Sequence, residues 1–154
     1  MKIMLDEGAI LPTRAHETDA GLDLYAPKDI TIPKGDYFVK MDGERLLSGG
    51  TRIGSAVIDT GVHVEIPKGY VGFIKSKSGL NVKHGLTAEG VIDSGYTGSI
   101  VVKLYNHTST SYEFKAGEKI AQLVLLPIIT PDLELVDSLE DTERGSGGFG
   151  STGR

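Results

Sequence analysis

Residues 90–98 place one carboxylate, that of Asp93, and one aromatic ring, that of Tyr96, in a short stretch rich in glycine and serine. Strand-forming residues lie on both sides, and Ser94 with Gly95 is typical of a tight turn, so the stretch is predicted to be the tip of a β-hairpin. An ionised carboxylate held at such a tip can orient and deprotonate an attacking water molecule, which accelerates a reaction about 10²–10⁴-fold. An aspartate in a turn can also simply accept hydrogen bonds from its own backbone, and for an isolated hairpin this simpler interpretation is preferred.

A second polar segment, Lys77, Ser78 and Gly79, offers a cation, a hydroxyl group and the free amides of a predicted helix start. Ser78 is predicted to be the N-cap of a short helix that ends at Gly85. Amides at a helix N-terminus lack internal partners and carry partial positive charge, so the segment suits a phosphate group. Ordinary helix capping accounts for the same residues and is the favoured interpretation of this segment taken alone.

The chain ends in a segment rich in glycine and serine, residues 142–154, which contains one cation, Arg144, and one ring, Phe149. Such a segment cannot bury enough apolar surface to fold by itself. The predicted organisation is therefore one folded domain, residues 1–141, followed by a flexible tail. Glycine allows the backbone of this tail to approach a ligand closely.

Composition narrows the class of protein further. A chain of 154 residues suits one domain, and a net charge of −5 without any run of Lys or Arg argues against a polynucleotide partner, because such binding neutralises phosphates. The absence of cysteine excludes disulfides, thiol catalysis and thiolate zinc sites, and the four histidines lack metal-ligand spacing. Early acidic residues argue against a signal peptide, and no apolar run reaches membrane-spanning length, so a soluble cytoplasmic protein is predicted.

The elements that must position these side chains are predicted to be short strands. Glycine is frequent, at 21 residues, and apolar residues alternate with polar ones in several places, which is typical of an all-β barrel or jelly roll. The predicted strands cover residues 22–25, 30–32, 62–66, 70–74, 100–105, 112–114 and 120–129. The polar segment 41–55 is predicted to be a loop or a hairpin extension.

Together with residues 19–24 and 117–122, these segments resemble the five motifs of the trimeric dUTP pyrophosphatase (dUTPase) family, in order, from Asp19 to the last residues. The resemblance implies a distorted jelly-roll subunit in a homotrimer whose active sites are shared between subunits. It also implies hydrolysis of dUTP to dUMP and pyrophosphate by attack of water on the α-phosphorus. That activity keeps uracil out of DNA and supplies dUMP for dTMP synthesis.

The resemblance assigns roles in the hairpin. Asp93 would position the attacking water and bind the sugar 3′-OH, and Tyr96 would pack beneath the deoxyribose and exclude a 2′-OH. Backbone groups would pair with the uracil edge and reject cytosine, because a wrong donor pattern leaves buried polar groups unpaired. These groups belong to Thr87, Gly90, Val91 and Ile92 and to Val101 on the returning strand.

The resemblance also assigns residues to the phosphates and to a metal ion. Mg²⁺ would be chelated by the triphosphate, with Asp23 in its outer shell and no direct protein ligand. Gln122, in an otherwise apolar strand, would lie beside the phosphates or make a structural hydrogen bond, and both roles stay open. Phe149 would stack on uracil when the tail closes. The remaining predicted phosphate contacts are Lys77, which replaces the family's usual arginine, Ser78, Gly79, Arg144, Gly150, Ser151 and Thr152.

Two alternatives remain. The dCTP deaminases resemble the dUTPases in fold and hairpin, but they use a glutamate on the strand after the hairpin, where this chain has Lys103. A protein-interaction module that is switched by nucleotide is the second alternative. Its partner surface would be the segment 41–55, as an addition to catalysis.

Overall fold

The structure describes residues 1–147, without the side chains of residues 46 and 47. The described residues contain eleven strands and one short helix. The structure is a computed structural model. The elements are β1 (Lys2–Leu5), β2 (Gly21–Tyr25), β3 (Ile30–Ile32), β4 (Asp36–Asp42), β5 (Arg45–Arg52), β6 (Gly54–Glu65), β7 (Tyr70–Lys75), α1 (Ser78–His84), β8 (Leu86–Ile92), β9 (Ser99–Asn106), β10 (Tyr112–Phe114) and β11 (Lys119–Pro127).

Seven of the strands form one antiparallel sheet in the order β1-β6-β9-β8-β7-β11-β2, while β3 pairs with β10 and β4 pairs with β5. Alternation along the strands determines the buried face. On β9, Ile100, Val102 and Leu104 are buried, whereas Val101 and Lys103 are exposed. The buried side chains of the sheet pack with those of β3 and β10 in one hydrophobic cluster. The predicted all-β class is confirmed.

The strand bounds differ from the predicted ones at several places, and the largest difference is in β6, which begins at Gly54 and not at residue 62. The bounds of β3 and β10 are as predicted, but β11 ends at Pro127, which pairs with Tyr70, and not at residue 129. Strand β1 was not predicted, because all four of its residues are exposed and show no apolar alternation. Residues 128–147 form no helix or strand and are almost entirely exposed. Within residues 1–147, no helix is long and apolar enough to cross a membrane.

Helix α1 begins one residue earlier than predicted. Lys77 is the N-cap, in extended conformation, and its carbonyl oxygen accepts the first helical hydrogen bond, from the Asn81 amide at 2.9 Å. Ser78 is therefore the first helical residue and makes no capping hydrogen bond, so the prediction that Ser78 caps the helix was wrong. The predicted end is confirmed, because Gly85 adopts a left-handed conformation with φ of 61° that favours glycine.

The segment 41–55 belongs to a hairpin that is longer than predicted. Strands β4 and β5 pair with each other from Asp36 opposite Arg52 to the turn, and every residue of β4 is exposed. Of the two predicted alternatives, a loop or a hairpin extension, the hairpin is the one present, and its pairing begins five residues before the predicted segment, at Asp36. The hairpin returns to the body at Gly54, where any side chain would overlap the carbonyl oxygen of Pro33.

Candidate active site

The hairpin made by β8 and β9 is paired at its base and open towards its tip. The ladder between the two strands covers Leu86–Ala88 and Leu104–Asn106. Beyond it, β8 pairs with β7 as far as Ile92, and β9 pairs with β6. The facing edges of the two strands therefore separate, and their backbone groups form a slot between Gly90 and Val101. A cavity of about 200 Å³ lies at the open end, lined by Val91, Ile92, Asp93, Tyr96 and Val101.

The tip of this hairpin holds Asp93 and Tyr96 in a hydrogen-bonded turn. The Tyr96 amide donates to the Asp93 carbonyl oxygen at 3.0 Å, and the Tyr96 hydroxyl donates to the Ser99 carbonyl oxygen at 2.8 Å. The Asp93 carboxylate is exposed and accepts no hydrogen bond from any group of residues 1–147. The simpler interpretation, in which Asp93 caps its own turn, therefore does not describe this hairpin.

The Tyr96 ring lies directly over Gly98. A β-carbon built on Gly98 would lie 2.6 Å from the Tyr96 Cζ atom, so the ring can occupy this position only because the residue below it is glycine. Gly98 is thus a positioning residue that sequence reasoning did not single out. Its signal was present in the sequence, as the glycine two residues after the tyrosine.

A second polar cluster is centred on the buried carboxylate of Asp23. Its two oxygens are ion-paired with the ammonium groups of Lys77 and Lys119, the latter at 2.6 Å. Burial opposes ionisation of Asp23, but the hydrogen bonds from Lys119 and Lys77 outweigh it and lower the pKa of Asp23 below its ordinary value. The hydrogen bond that Lys119 donates to Asp23 in turn raises the pKa of Lys119. Two cations thus share the carboxylate of Asp23, and Asp19 lies close enough to act on Lys119 as well.

Lys119 is a residue that sequence reasoning missed. It is the first residue of β11 and pairs opposite Tyr25, at the end of the strand that carries Asp23. The signal would have been the antiparallel pairing of residues 21–25 with residues 119–124, which the sequence does not specify because the two strands are far apart in the chain. Within the described residues, no group of three or more acidic or histidine side chains is arranged to hold a metal ion.

Gln122 lies on β11 between Asp23 of β2 and Lys75 of β7. Its side-chain amide donates to the Ser76 carbonyl oxygen at 3.0 Å, so the structural hydrogen bond exists. The side chain also lies against Gly21, where any β-carbon would overlap its Oε1 atom. A contact between Gln122 and a phosphate group stays a prediction.

One subunit does not bring the two polar clusters together. Along the β7–β8 ladder, Gly72 pairs with Ile92 and Lys75 pairs with Glu89. Asp93 follows the end of β8, beside the start of β7, and Lys77 lies beyond the end of β7. At the usual rise of a strand, the two are on the order of 20 Å apart along the sheet.

The other predicted site residues have local contacts. Thr87 lies at the paired base of the hairpin, opposite Tyr105, and its hydroxyl is 2.8 Å from Nε2 of His107. Arg144 is exposed, and its Nε–H donates to the Gly147 carbonyl oxygen at 3.0 Å within the tail. Four predicted residues lie outside the described part of the chain: Phe149, Gly150, Ser151 and Thr152.

Lys103 occupies the strand position at which the deaminases have their glutamate. Its side chain is directed to solvent on β9, and its ammonium group lies 4.9 Å from the centre of the Tyr105 ring. A cation held over an aromatic ring cannot accept a proton from water at neutral pH. This position therefore offers no base for deamination.

Comparison with known proteins identifies the family. The family model for dUTPase matches residues 51–153, which is more than half of the chain. The chain belongs to the dUTPase family. A curated relative from Gloeothece citriformis, a deoxyuridine 5′-triphosphate nucleotidohydrolase, is 41% identical over 152 residues and covers 97% of this chain and 92% of its own.

Solved structures agree with this assignment. The dUTPase of Staphylococcus bacteriophage 80alpha with dUPNHPP is 32% identical, with a TM-score of 0.81 over 99% of this chain and 98% of its own. A variant of the dUTPase from phage phi11 of S. aureus, in which the coordination of a structural Mg(II) ion is described, is 29% identical, with a TM-score of 0.72 over 91% of this chain and 98% of its own. The likeness covers the fold of the subunit, and the predicted jelly-roll class is confirmed.

Proposed function

We propose that this protein hydrolyses dUTP to dUMP and pyrophosphate. The observation that carries the proposal is the opened β8–β9 hairpin, with an available carboxylate and an aromatic ring at its tip. Membership of the dUTPase family supports the substrate. The open strand edges are suited to a flat ligand that has its own hydrogen-bond donors and acceptors. A nucleobase is such a ligand.

Uracil would pair with the separated edges of the hairpin, in the slot between Gly90 and Val101. Backbone donors and acceptors are fixed by the strands, so they recognise one pattern of hydrogen bonds and leave polar groups unpaired with any other. Cytosine presents an amino group where uracil presents a carbonyl oxygen, and the slot would reject it on this basis. Thr87 would contribute through its backbone, because its hydroxyl already contacts His107.

The sugar would lie on the Tyr96 ring. The ring is fixed from below by Gly98 and at its hydroxyl by Ser99, so it cannot move aside for a larger sugar. An additional 2′-OH would meet the ring, and UTP would bind less well than dUTP. This steric selection requires the ring to be rigid, which the two contacts provide.

Asp93 would act on the attacking water. Its carboxylate orients one water molecule and accepts a proton as the oxygen forms its bond to the α-phosphorus. The bond from the α-phosphorus to the bridging oxygen breaks, and pyrophosphate leaves with that electron pair. Because the carboxylate is exposed and accepts no hydrogen bond from residues 1–147, it can make both the water contact and a contact to the sugar 3′-OH.

The phosphates would bind at the Lys77 end of the sheet. Ser78 and Gly79 follow Lys77 directly at the start of α1, and the ammonium groups of Lys77 and Lys119 both contact Asp23. Positive charge here would stabilise charge that develops during phosphoryl transfer. Arg144, Phe149, Gly150, Ser151 and Thr152 would join them from the tail.

Mg²⁺ fits this site through water and not through a direct carboxylate ligand. Asp23 is held ionised by its two lysines and keeps acceptor capacity, since a carboxylate has about four lone-pair sites. Asp23 would therefore accept hydrogen bonds from water bound to a Mg²⁺ ion on the triphosphate. When bound, the ion neutralises phosphate charge.

The separation of the two clusters supports a homotrimer with shared sites. Since Asp93 and Lys77 lie at opposite ends of β7–β8, one dUTP molecule would contact both only where two subunits meet. The hairpin would come from one subunit and the phosphate-binding cluster from its neighbour.

The direct test is pyrophosphate release measured in parallel on dUTP, UTP, dCTP and dTTP, together with an ammonia assay on dCTP. We expect release from dUTP alone at appreciable rate and no ammonia. Ammonia from dCTP would favour the deaminase, and an inert folded protein would contradict both assignments.

A second role is favoured by one observation. The β4–β5 hairpin pairs with no strand of the main sheet and exposes Tyr37, Phe38 and Met41 to solvent, although Arg52 of the same hairpin lies over the Phe38 ring. The family model begins at residue 51 and leaves most of this hairpin out. We propose that the hairpin binds a regulatory protein in a nucleotide-dependent manner.

A pull-down with and without a non-hydrolysable dUTP analogue tests this second role, and it is repeated with the Tyr37→Ser variant. Equal capture of the partner by the wild type and by Tyr37→Ser would contradict the proposal.

A further inference from the structure

His63 connects three separate segments of the chain at the base of the hairpin tip. It lies on β6, between Met4 of β1 and Ser99 of β9 in the pairing of the sheet. Its ring Nδ1 atom is 2.9 Å from the Thr97 carbonyl oxygen, and its Nε2 atom is 3.2 Å from each carboxylate oxygen of Asp6. The side chain is only 18% exposed, so the contacts are partly shielded from water.

Both partners of His63 are hydrogen-bond acceptors only. A backbone carbonyl has no proton to donate, and an ionised carboxylate has none either. A neutral imidazole carries one N–H and one lone pair, so it can donate to Thr97 or to Asp6 but not to both. The imidazolium ion carries two N–H groups and satisfies both. The geometry is therefore complementary to the doubly protonated form of His63.

The acceptor Asp6 is held in place independently of His63. The Asp6 amide donates to the Gly61 carbonyl oxygen at 2.8 Å, at the bulge of β6 where Gly61 has a φ of +65°. The Ala9 amide donates to the Asp6 carbonyl oxygen at 3.1 Å. The carboxylate is thus presented to His63 by a fixed backbone.

The loop of residues 93–98 is attached to β6 at two points. His63 holds the Thr97 carbonyl oxygen, and Asp59 accepts a hydrogen bond from the Ser99 hydroxyl. The carbonyl oxygen of the same Ser99 accepts the hydrogen bond from the Tyr96 hydroxyl. Of these two attachments, only the one at His63 depends on a side chain that ordinarily gains or loses a proton near neutral pH.

We propose that doubly protonated His63 is a positioning residue for the loop that carries Asp93 and Tyr96. It donates one hydrogen bond to the loop at Thr97 and one to Asp6, which together fix the loop against β6. Loss of one proton breaks one of these bonds and loosens the loop. The kinetic consequence rests on the proposed function, whereas the effect on the loop itself does not.

The charges around His63 favour its protonated form. Asp6 faces it from the segment after β1, Asp59 and Glu65 lie on its own strand, and Lys2 of β1 is ion-paired with Glu65. The hydrogen bonds to Thr97 and then to Asp6 raise the pKa of His63 above its ordinary value. A raised pKa in the folded state means that the attachment is complete below the ordinary value of about 6.5 and is lost as pH rises through the folded value.

Three variants separate the two hydrogen bonds. The amide nitrogen of asparagine can occupy the position of the ring Nδ1 atom, so His63→Asn keeps the hydrogen bond to Thr97 at every pH. The longer glutamine side chain reaches towards Asp6, so His63→Gln loses the hydrogen bond to Thr97. In Asp6→Asn, neutral His63 can donate from Nδ1 to Thr97 and accept at Nε2 from the new amide. His16→Gln is the matched control. His16 also lies beside a carboxylate, that of Asp19, but its side chain is exposed and its ion pair does not involve the loop of residues 93–98.

The experiment has one arm without substrate and one with it. Amide hydrogen exchange of residues 93–98 is measured from about pH 6 to pH 9, the range over which histidine loses its charge, and divided by the exchange of the control variant. The pH profile of kcat/KM for dUTP is measured on the same proteins. We expect His63→Gln to exchange faster at all pH values and to lose about fivefold in kcat/KM, as for one hydrogen bond.

Neutral His63 would keep its proton on Nε2, because the Asp6 carboxylate is a stronger acceptor than the Thr97 carbonyl oxygen, and the bond to Thr97 would then be lost. We therefore expect the wild type to approach the His63→Gln values as pH rises, while His63→Asn and Asp6→Asn keep slow exchange and a flatter pH profile. Equal exchange in the loop of His63→Gln and of the control across the range would overturn the proposal. So would a pH dependence in Asp6→Asn identical to that of the wild type. If no variant hydrolyses dUTP, the proposed function fails, and the exchange arm still decides the role of His63.

Discussion

The Asp93 carboxylate accepts no hydrogen bond from residues 1–147, and it lies at the open end of a slot between two strands. A carboxylate that supported the turn would accept hydrogen bonds from the turn's own amides, as Asp59 does from the Gly61 amide at 3.1 Å. This difference supports the proposal that Asp93 acts in the reaction and does not stabilise the hairpin.

Replacement of Asp93 by asparagine should remove the base and leave the slot intact. We expect Asp93→Asn to lower kcat by about 10²–10⁴-fold while a non-hydrolysable dUTP analogue binds with similar affinity. Steady-state kinetics and calorimetric titration measure the two effects. Asp132→Asn, at an exposed position after β11, is the control. Turnover at the parent rate in Asp93→Asn would remove Asp93 from the mechanism.

Gly98 offers a test of the sugar platform. In Gly98→Ala, the new methyl group would collide with the Tyr96 ring and force the ring to move. We expect kcat/KM for dUTP to fall about tenfold and the preference for dUTP over UTP to shrink, because the ring no longer excludes a 2′-OH. Gly95→Ala is a matched control from the same loop, since nothing lies within 4 Å of a β-carbon there. Equal discrimination by the two variants would contradict the steric account.

The ion pairs of Asp23 lead us to expect that the stability of the protein depends on pH in the acid range. Because the pKa of Asp23 is lowered in the folded state, its ion pairs stabilise the protein above the ordinary value of 3.8 and are lost as pH falls through the folded value. We expect Asp23→Asn to lower the melting temperature at neutral pH and the difference from the wild type to shrink in acid. The exposed pair of Asp29 with Lys115 supplies the comparison, and Asp29→Asn should have little effect. Equal effects of the two substitutions would contradict the role of burial.

At the scale of elements, the sequence predicted those strands whose alternation or apolar content is strong. Residues 112–114 and 30–32 were predicted to the residue, and Gly85 was identified as the end of the helix. Strand β1 and the start of the β4–β5 hairpin were missed, because their residues are exposed and carry no period of two. Their pairing partners define them, and pairing between distant segments is a tertiary effect.

The candidate site shows the same division. Asp93, Tyr96 and Lys77 were predicted, since turn chemistry and a helix start are local in the sequence. Lys119 and His63 were not, because their roles depend on which strand lies beside them. The helix start was misplaced by one residue, because Ser78 has the residue type of an N-cap but Lys77 occupies that position.

A further prediction at the scale of elements concerns the C-terminal tail. Residues 128–147 contribute no strand or helix, so truncation before Arg144 should leave the melting temperature unchanged. We expect kcat/KM for dUTP to fall by several orders of magnitude, because a cation and a stacking ring are lost together. Unchanged kinetics in the truncated protein would mean that the tail has no part in the reaction.

At the scale of the whole molecule, the two halves of the proposed site lie at opposite ends of β7–β8 in one subunit. The proposed site would therefore be complete only between two chains. Exposed apolar side chains on the edges of the hairpin, at Val91 and Val101, are consistent with coverage by a ligand or a neighbouring subunit. The proposed catalytic unit is thus the assembly and not the single chain.

The most direct measurement mixes two variants that are each defective in a different half of the site. Asp93→Asn and Lys77→Ala are unfolded together, refolded as a mixture and assayed for pyrophosphate release from dUTP. If each site takes Asp93 from one subunit and Lys77 from its neighbour, random mixing at equal amounts should restore about a quarter of wild-type activity, since both intact halves then meet by chance at that frequency. Each variant refolded alone should stay at its own low rate. A mixture no more active than the average of its two components would contradict a shared site.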